Sequence, residues 1–398
     1  MKTIEAIDFS GKRAVVRVDF NVPLDASLQV TDATRIRGAV PTIKKILGDG
    51  GSVILLSHLG RPKGGFEKKF SLENIVEKST EIIGTEVRFS GDCISDTAYD
   101  AASKLGKGEI LLMDNLRFHS EEEKGDEEFA RKLSQLGDVY VNDAFGTAHR
   151  AHASTAVIAK FFAAEKKCFG YLMSEEIRSI NRLIETPVTP FAAVIGGAKV
   201  SDKILLIEQL MKKVNHILIG GGMAFTFIKA NGGRVGDSLC EHDKLDLARN
   251  LMKKAKEMGV KLHLPVDVIA AKEISADTQI IETDAGEIPE GWKGLDIGAA
   301  TIDNFLNVVK EAKTILWNGP MGVFEIEKFQ KGTKAMAEGM AMATSAGAFT
   351  LIGGGDSVSA INKFNLAEKV GYVSTGGGAL LEYIEQGSLP GIEAMGRN

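Results

Sequence analysis

The stretch FAAVIGGAKVSDK, Phe191 to Lys203, passes from an apolar run into two glycines and then two lysines four residues apart. Phe191 to Ile195 suits a buried strand, bounded by Gly196 and Gly197. Glycines at that point let the backbone approach a ligand closely. If residues 199–209 then form a helix, its free amide hydrogens and positive dipole end face the turn, and Lys199 and Lys203 share one helix face. Two ammonium groups would meet one anion. The same string also fits a tight strand-to-helix turn carrying two solvated lysines, and taken alone it leaves both readings open.

Outward from this stretch, short apolar strands alternate with amphipathic helical patterns. The predicted strands are Arg13 to Val18, Ser52 to Leu56, Ile110 to Met113, Val139 to Asn142, Phe191 to Ile195 and His216 to Ile219. The series continues with Lys261 to Leu264, Thr314 to Trp317, Phe349 to Ile352 and Tyr372 to Ser374. This alternation predicts an α/β fold with parallel sheets flanked by helices, whose ligands gather beyond the C-terminal strand ends. Ser174 to Glu185 sets Ile177, Ile180, Leu183 and Ile184 on one helical face and is followed by TPVTP, which reads as an inter-domain helix and a breaker. A chain of 398 residues, at ~150 per domain, suggests two or three domains.

Composition excludes several classes. A net charge of −5 argues against a general nucleic-acid binder, which needs a basic footprint. No apolar stretch approaches the ~20 residues of a membrane span, and no charged-then-apolar leader opens the chain, so a soluble cytoplasmic protein is expected. Cys93, Cys168 and Cys240 form neither an even disulfide framework nor a CxxC pair, which fits a reducing compartment and predicts buried small hydrophobes. No HExxH or sequence cluster of Cys and His indicates zinc, and His149 with His152 reads as packing. The acidic run EEEKGDEE, Glu121 to Glu128, reads as a solvated loop or helix start.

The first half places polar residues just past its strands. Asp19 and Asn21 stand in RVDFNVP, His58 and Arg61 in SHLGRP, Arg117 in NLRFH and Arg150 in NDAFGTAHRAH, while Arg35 stands at a predicted helix start in TDATRIR. Singly, each suits a surface ion pair; aimed at one crevice, they would bind a multiply anionic small molecule. The second half runs repeatedly from strand into glycine: LIGGGMAFTF with Gly221, WNGPMGVFE with Asn318 and Glu325, LIGGGDS with Gly355, and STGGGALLE. Ser357 is predicted to cap a helix there, with amides free for phosphate oxygens and Asp356 a natural magnesium ligand.

These strings in this order, RVDFNVP, SHLGRP, NLRFH, DAFGTAHRAH, GGAKVSDK, GGGMAFTF, WNGPMGVFE, GGGDS and STGGGALLE, cover nearly the whole chain, which resembles the phosphoglycerate kinase family. The resemblance implies two similar-sized Rossmann-like domains joined by an inter-domain helix and hinge: 1–170 binding 3-phosphoglycerate, 171–186 the helix, 187–378 binding nucleotide, and 379–398 returning to the first domain. It implies reversible phosphoryl transfer between ATP and the carboxylate of 3-phosphoglycerate, with ADP and 1,3-bisphosphoglycerate as the other pair, magnesium as cofactor, hinge closure and a monomer. It gives Asp19, Asn21 and Arg35 to the glycerate end of the substrate, and His58, Arg61, Arg117 and Arg150 to its phosphate. Gly197, Lys203, Gly221, Asn318, Glu325, Gly355, Asp356 and Ser357 fall to the nucleotide, with Asp356 on the metal. Arg35, Lys199 and the amides of Gly376, Gly377 and Gly378 surround the transferred group.

The chain departs from the family pattern at Asp114, where glutamate is usual, at Ala299, where DIGP is common, and at Leu380, where serine is commoner. Two other classes compete. An NAD-dependent oxidoreductase would need GxGxxG between strand and helix, which is missing, and a non-catalytic nucleotide module would have little use for the basic cluster. A Walker A string is also lacking.

Overall fold

Six segments of the first half are strands: β1 (Arg13–Val18), β2 (Ser52–Leu56), β3 (Val87–Ser90), β4 (Ile110–Met113), β5 (Val139–Asp143) and β6 (Lys167–Phe169). The structure, a computed structural model, describes residues 3–396. These strands pair in parallel in the order β3-β4-β2-β1-β5-β6. Successive side chains of β1 point to opposite faces: Val16 and Val18 pack with Ile36, Ile43 and Leu55, whereas Val15 packs with Leu56, Met113 and Tyr140. Cores on both faces explain why these strands read as continuous apolar runs. From β1 the chain steps to β2 on one side, while β5 lies on the other, so a crevice opens at the C-terminal end of β1.

The second half contributes β7 (Phe191–Ile195), β8 (His216–Ile219), β9 (Arg234–Val235), β10 (Lys261–His263), β11 (Asp267–Ala271) and β12 (Ile280–Asp284). It continues with β13 (Glu287–Ile288), β14 (Lys293–Ile297), β15 (Thr314–Asn318), β16 (Phe349–Ile352) and β17 (Tyr372–Val373). The second parallel sheet has the order β10-β8-β7-β15-β16-β17. Its switch point lies between β7 and β15, which pair with Asn318 opposite Ile195. A separate antiparallel sheet, β12-β11-β14, and the short pair β13-β9 were not expected from the sequence. Ile280–Asp284 alternates exposed and half-buried residues, so it lacks the apolar run that marks the parallel strands.

The chain divides into two compact units. One runs through Arg178 and is rejoined by the chain from Gln386; the other spans Ser179–Glu385. The division falls inside the helix Tyr171–Ile184 rather than at either end of it. That helix starts at Tyr171, three residues before the Ser174 of the apolar pattern though at the first residue of the 171–186 span, because its first amides find side-chain acceptors. Tyr171 N donates to Thr42 Oγ1 at 2.8 Å and Met173 N to Asp143 Oδ1 at 3.0 Å.

At the other end, Ala379–Glu385 groups with the second unit and only the chain from Gln386 with the first, so the return starts later than residue 379. Tyr383 Oη donates to Asn181 Oδ1 at 2.9 Å within the second unit. The turn Pro390–Glu393 then seats on the first unit: Gly391 N donates to the Ala148 carbonyl at 2.8 Å, and Lys167 Nζ to the Ala394 carbonyl at 3.1 Å. Arg397 and Asn398, the last residues of the expected returning segment, lie outside the described residues. Among the described residues, no helix is long and apolar enough to cross a membrane. Cys93 and Cys168 are buried, and Cys240 is half-buried.

Candidate active site

In the first unit every predicted polar residue follows the C-terminal end of a strand or starts the helix beside it. Asp19 and Asn21 follow β1, His58 and Arg61 follow β2, Arg117 stands in the turn Leu116–Phe118 after β4, and Arg150 follows β5. Arg35 lies in the first turn of the helix Thr34–Gly48, whose start is fixed by Asp32 Oδ1 accepting from Thr34 N at 2.8 Å. Its Nη1 reaches Asp19 Oδ1 at 3.2 Å and the Asn21 carbonyl at 2.8 Å. Asn21 Oδ1 accepts from Gly60 N at 2.8 Å, and Arg117 Nη1 donates to the Gly60 carbonyl at 2.9 Å. The loop after β2 is thus clamped between two predicted residues. Arg61 and Arg150 are exposed.

Excess positive charge marks this cluster. Burial, then the charges of Arg17, Arg117 and Arg35, hold His58 well below its usual range. Burial, followed by Arg117, Arg17 and Arg150, lowers His152 to about 4. Both imidazoles are therefore neutral at physiological pH. Burial also lowers Arg117, with Arg17 and Arg61 adding to the effect and Glu123 opposing it. An anion placed here would relieve that repulsion.

The network beneath the cluster was missed in the sequence. Arg17 lies within a strand that otherwise reads as apolar, and it is buried. Its Nε donates to Ser154 Oγ at 2.9 Å, and Ser154 Oγ donates to Glu122 Oε1 at 2.6 Å. Its Nη2 lies 3.3 Å from His58 Nδ1. Glu122 belongs to the acidic run read as a solvated loop or helix start; the run does open the helices Glu121–Lys124 and Glu127–Ser134, yet Glu122 itself is buried as Arg17's counter-charge. The one signal available was the arginine itself, a charge inside a strand whose burial on both faces demands core residues.

In the second unit the glycine turns interlock. Gly196 N donates to the Asn318 carbonyl at 2.9 Å and Gly197 N to the Pro320 carbonyl at 3.1 Å. A Cβ at Gly196 would strike the Pro320 carbonyl, and one at Gly319 would strike Gly196. Only glycine lets the loops after β7 and β15 touch at the switch point. The Lys203 ammonium donates to Asn318 Oδ1, whose Nδ2 donates to the Gly353 carbonyl at 2.7 Å. Burial lowers Lys203, opposed by the negative charges of Asp356, Asp202 and Glu385.

Two local expectations are corrected. Lys199 precedes the 3-10 turn Ser201–Lys203, and the α-helix runs only over Ile204–Met211, so the two lysines do not share a helix face. Lys199 is exposed and Lys203 half-buried. Ser357 is not the helix cap: the N-cap of Gly355–Lys363 is Gly354, and the buried Ser357 hydroxyl instead accepts from Gly319 N at 2.6 Å. The third glycine loop leads into the helix Gly378–Gln386, with Gly377 at φ +53 and Gly376 N bonded to Ser374 Oγ at 3.1 Å.

Beside these turns lies a cavity of about 280 Å³, lined by Gly197, Gly221, Glu325 and Asp356. The other predicted nucleotide residues, Lys203, Asn318, Gly355 and Ser357, are not among the residues that line it. Its apolar lining, including Phe225, Leu239, Pro265 and Val323, was missed because these residues come from separate segments with no shared motif. One wall uses β11 and β14 of the unexpected sheet. Asp356 is an exposed carboxylate in the first helical turn and faces this cavity, an arrangement that fits a magnesium ion held by one protein oxygen, water and nucleotide phosphate. Of the three departures from the family pattern, Leu380 is buried against Gly353, where a Cβ would strike its Cδ2. Asp114 is buried and accepts from Leu72 N at 2.8 Å and Ser71 Oγ at 3.0 Å. Ala299 opens the helix Ala299–Glu311.

The model of the family described as phosphoglycerate kinase matches residues 4–387. The chain is 51% identical over 416 residues to phosphoglycerate kinase of Porphyromonas gingivalis, covering 99% of each protein. It is also 51% identical over 393 residues to the cytosolic phosphoglycerate kinase of Nicotiana tabacum, covering 99% of this chain and 97% of that one. The solved structure of phosphoglycerate kinase from Coxiella burnetii superposes with a TM-score of 0.89 at 39% identity, over 99% of this chain and 98% of that one. Together with two parallel six-stranded sheets, these likenesses define a kinase of the two-domain α/β class. The chain belongs to the phosphoglycerate kinase family and serves that family's kinase step in glycolysis.

Proposed function

We propose that the chain transfers a phosphoryl group reversibly between ATP and the carboxylate of 3-phosphoglycerate, giving ADP and 1,3-bisphosphoglycerate. The observation that carries this reading is the split of chemistry between the units: mutually repelling arginines at the switch point of one sheet, and interlocked glycine turns with a partly desolvated lysine at the switch point of the other. Asp19, Asn21 and Arg35 orient the glycerate end, and His58, Arg61, Arg117 and Arg150 bind its phosphate. Neutral His58 donates a hydrogen bond there without adding charge. Gly197, Gly221 and Glu325 line the nucleotide cavity, while Lys203, Asn318, Gly355 and Ser357, bonded to or set in the glycine turns, serve the nucleotide phosphates.

A carboxylate acceptor, with a pKa of ~3.5 to 4, is ionised at neutral pH and needs no general base. Catalysis then reduces to in-line alignment and neutralisation of charge on the phosphoryl oxygens. Arg35, Lys199 and the amides of Gly376, Gly377 and Gly378 serve that end. Asp356 would hold magnesium, which when bound would supply Lewis-acid neutralisation of the nucleotide phosphates. Transfer requires the two substrates in line and water excluded, so hinge closure belongs to the cycle. We place the protein in the cytoplasm, a reading supported by three free cysteines and by the cytosolic tobacco relative, and take it as a monomer, as the family resemblance implies.

A coupled assay with 3-phosphoglycerate, ATP and magnesium tests the proposal. Turnover must depend on all three, and nicotinamide consumption must require the coupling enzyme. Nucleotide binding without turnover would instead favour a non-catalytic module.

A further inference from the structure

Three potential metal ligands that no sequence spacing joins meet at one edge of the first unit's sheet. Asp92 and Cys93 follow β3, and His119 ends the turn after β4. These strands pair in parallel with Ser90 opposite Met113, so the loops that follow them leave neighbouring strand ends together. The ligand atoms of Asp92, Cys93 and His119 all lie within 4.8 Å of one another. Asp92 Oδ1 and His119 Nε2 are 2.7 Å apart. Beside them opens a cavity of about 270 Å³ whose wall includes Phe66, Asp92, Phe118 and His119. The Asp92 and His119 side chains keep 36% and 27% of their exposure, whereas Cys93 is buried behind them.

We propose that Asp92, Cys93 and His119 form a site for a borderline-soft divalent cation of the zinc class, with the adjoining cavity leaving a fourth position open to water or a small ligand. The donor set decides the class. Thiolate and imidazole suit zinc or cobalt and are poor ligands for magnesium, so this site is chemically distinct from the one assigned to Asp356. Distances agree as well. Three atoms no more than 4.8 Å apart all lie within about 2.8 Å of one common point, against ~2.0 to 2.3 Å for zinc bonds, so no ligand need approach by more than roughly 0.8 Å, while Asp92 Oδ1 and His119 Nε2 part from 2.7 Å to the roughly 3.3 Å between two ligands of a tetrahedral ion. Binding replaces the Asp92–His119 hydrogen bond. His119 presents the Nε2 lone pair with its proton on Nδ1, and the Cys93 thiol proton passes to solvent as the sulfur–metal bond forms. Three protein ligands and one open position is the pattern of an open, catalytic-type zinc rather than a closed structural one.

Cobalt(II) added to the reduced, chelator-stripped full-length chain provides the test. One equivalent should bind, give a thiolate-to-cobalt charge-transfer band in the near ultraviolet, and be displaced by an equivalent of zinc. Cys93→Ser should abolish the band and His119→Gln should weaken binding by about 10-fold or more. Cys240→Ser, which alters the half-buried cysteine of the other unit, should leave both unchanged. No charge-transfer band in the native chain, or a band that survives Cys93→Ser and is lost in Cys240→Ser, overturns the proposal. If Cys93→Ser does not fold, the half-exposed His119 carries the test alone: unchanged affinity in His119→Gln overturns it.

Discussion

Lys203 and Asn318 form a fixed pair: the ammonium donates to Asn318 Oδ1, while Asn318 Nδ2 is anchored on the Gly353 carbonyl at 2.7 Å. The lysine comes from the turn after β7 and its partner from the end of β15, so one hydrogen bond spans the switch point. Desolvation lowers the lysine, and a nucleotide phosphate would restore the charge balance. Lys203→Met should raise the nucleotide KM roughly 10- to 150-fold, the loss of one charge-assisted hydrogen bond of ~1.5 to 3 kcal/mol. Asn318→Ala should produce part of that loss, and the double variant should be no worse than Lys203→Met within about twofold. Multiplicative effects in steady-state kinetics would show that the lysine acts without its partner.

Arg35 is held by Asp19 Oδ1 at 3.2 Å and the Asn21 carbonyl at 2.8 Å, which leaves donors of its guanidinium free for substrate. A positioned arginine on a transferring phosphoryl group is worth ~10³ to 10⁵ in rate, far more than the ~0.3 to 1 kcal/mol of a helix dipole. Arg35→Ala should therefore lower kcat by about 10³ or more and leave the nucleotide KM within roughly threefold of the parent. A kcat near the parent value would remove Arg35 from the reacting centre.

Asp356 faces the cavity from an exposed first helical turn. Asp356→Ala should move the magnesium dependence of turnover to concentrations on the order of tenfold higher, and calorimetry should show weaker binding of magnesium-ADP but not of free ADP. Equal losses for the two forms of ADP would mean that the carboxylate serves the loop and not the metal.

Arg17 and Glu122 are both buried and are bridged by Ser154. Removing one charge strands the other, at a typical cost of ~3 to 5 kcal/mol. Arg17→Met should destabilise the first unit by that amount, and adding Glu122→Gln should recover much of it. Denaturant unfolding checks both, and full additivity would show that the charges do not depend on each other.

How far the sequence could be read depended on which physical signal a segment carried. Strands buried on both faces, such as Ile110–Met113 and Phe191–Ile195, stand out as apolar runs and match the structure to the residue. The edge strands Val87–Ser90 and Lys167–Phe169 do not, because one flank meets solvent and polar residues interrupt the run. Lys199 shows a different limit: two lysines four apart match helical spacing, but the chain first makes a turn around Val200 and a 3-10 segment. Strand-end polar residues were legible because a parallel sheet presents its strand ends together. The Arg17–Ser154–Glu122 link was not, since its members lie 137 and 32 residues apart and only the folded chain brings them together.

Asp143 ties the end of β5 to the start of the helix Tyr171–Ile184. Its Oδ1 accepts from Met173 N at 3.0 Å, Thr42 also bonds to it, and its buried Oδ2 has no partner among the described residues. Burial raises its pKa to about 7, so the native state keeps a proton that the unfolded chain, with a pKa of ~3.9, has already released. Stability from this group is full below pH ~4, declines as pH rises, and is lost once pH passes about 7. Between pH 6 and 8 the loss is about 1.4 kcal/mol. Asp143→Asn cannot ionise, so its unfolding free energy relative to the parent should rise by that increment over the same window, whatever its offset at pH 6. Parallel stability curves from pH 6 to 8 would mean that Asp143 is already ionised in the native protein and that the start of the helix is held by a charged carboxylate.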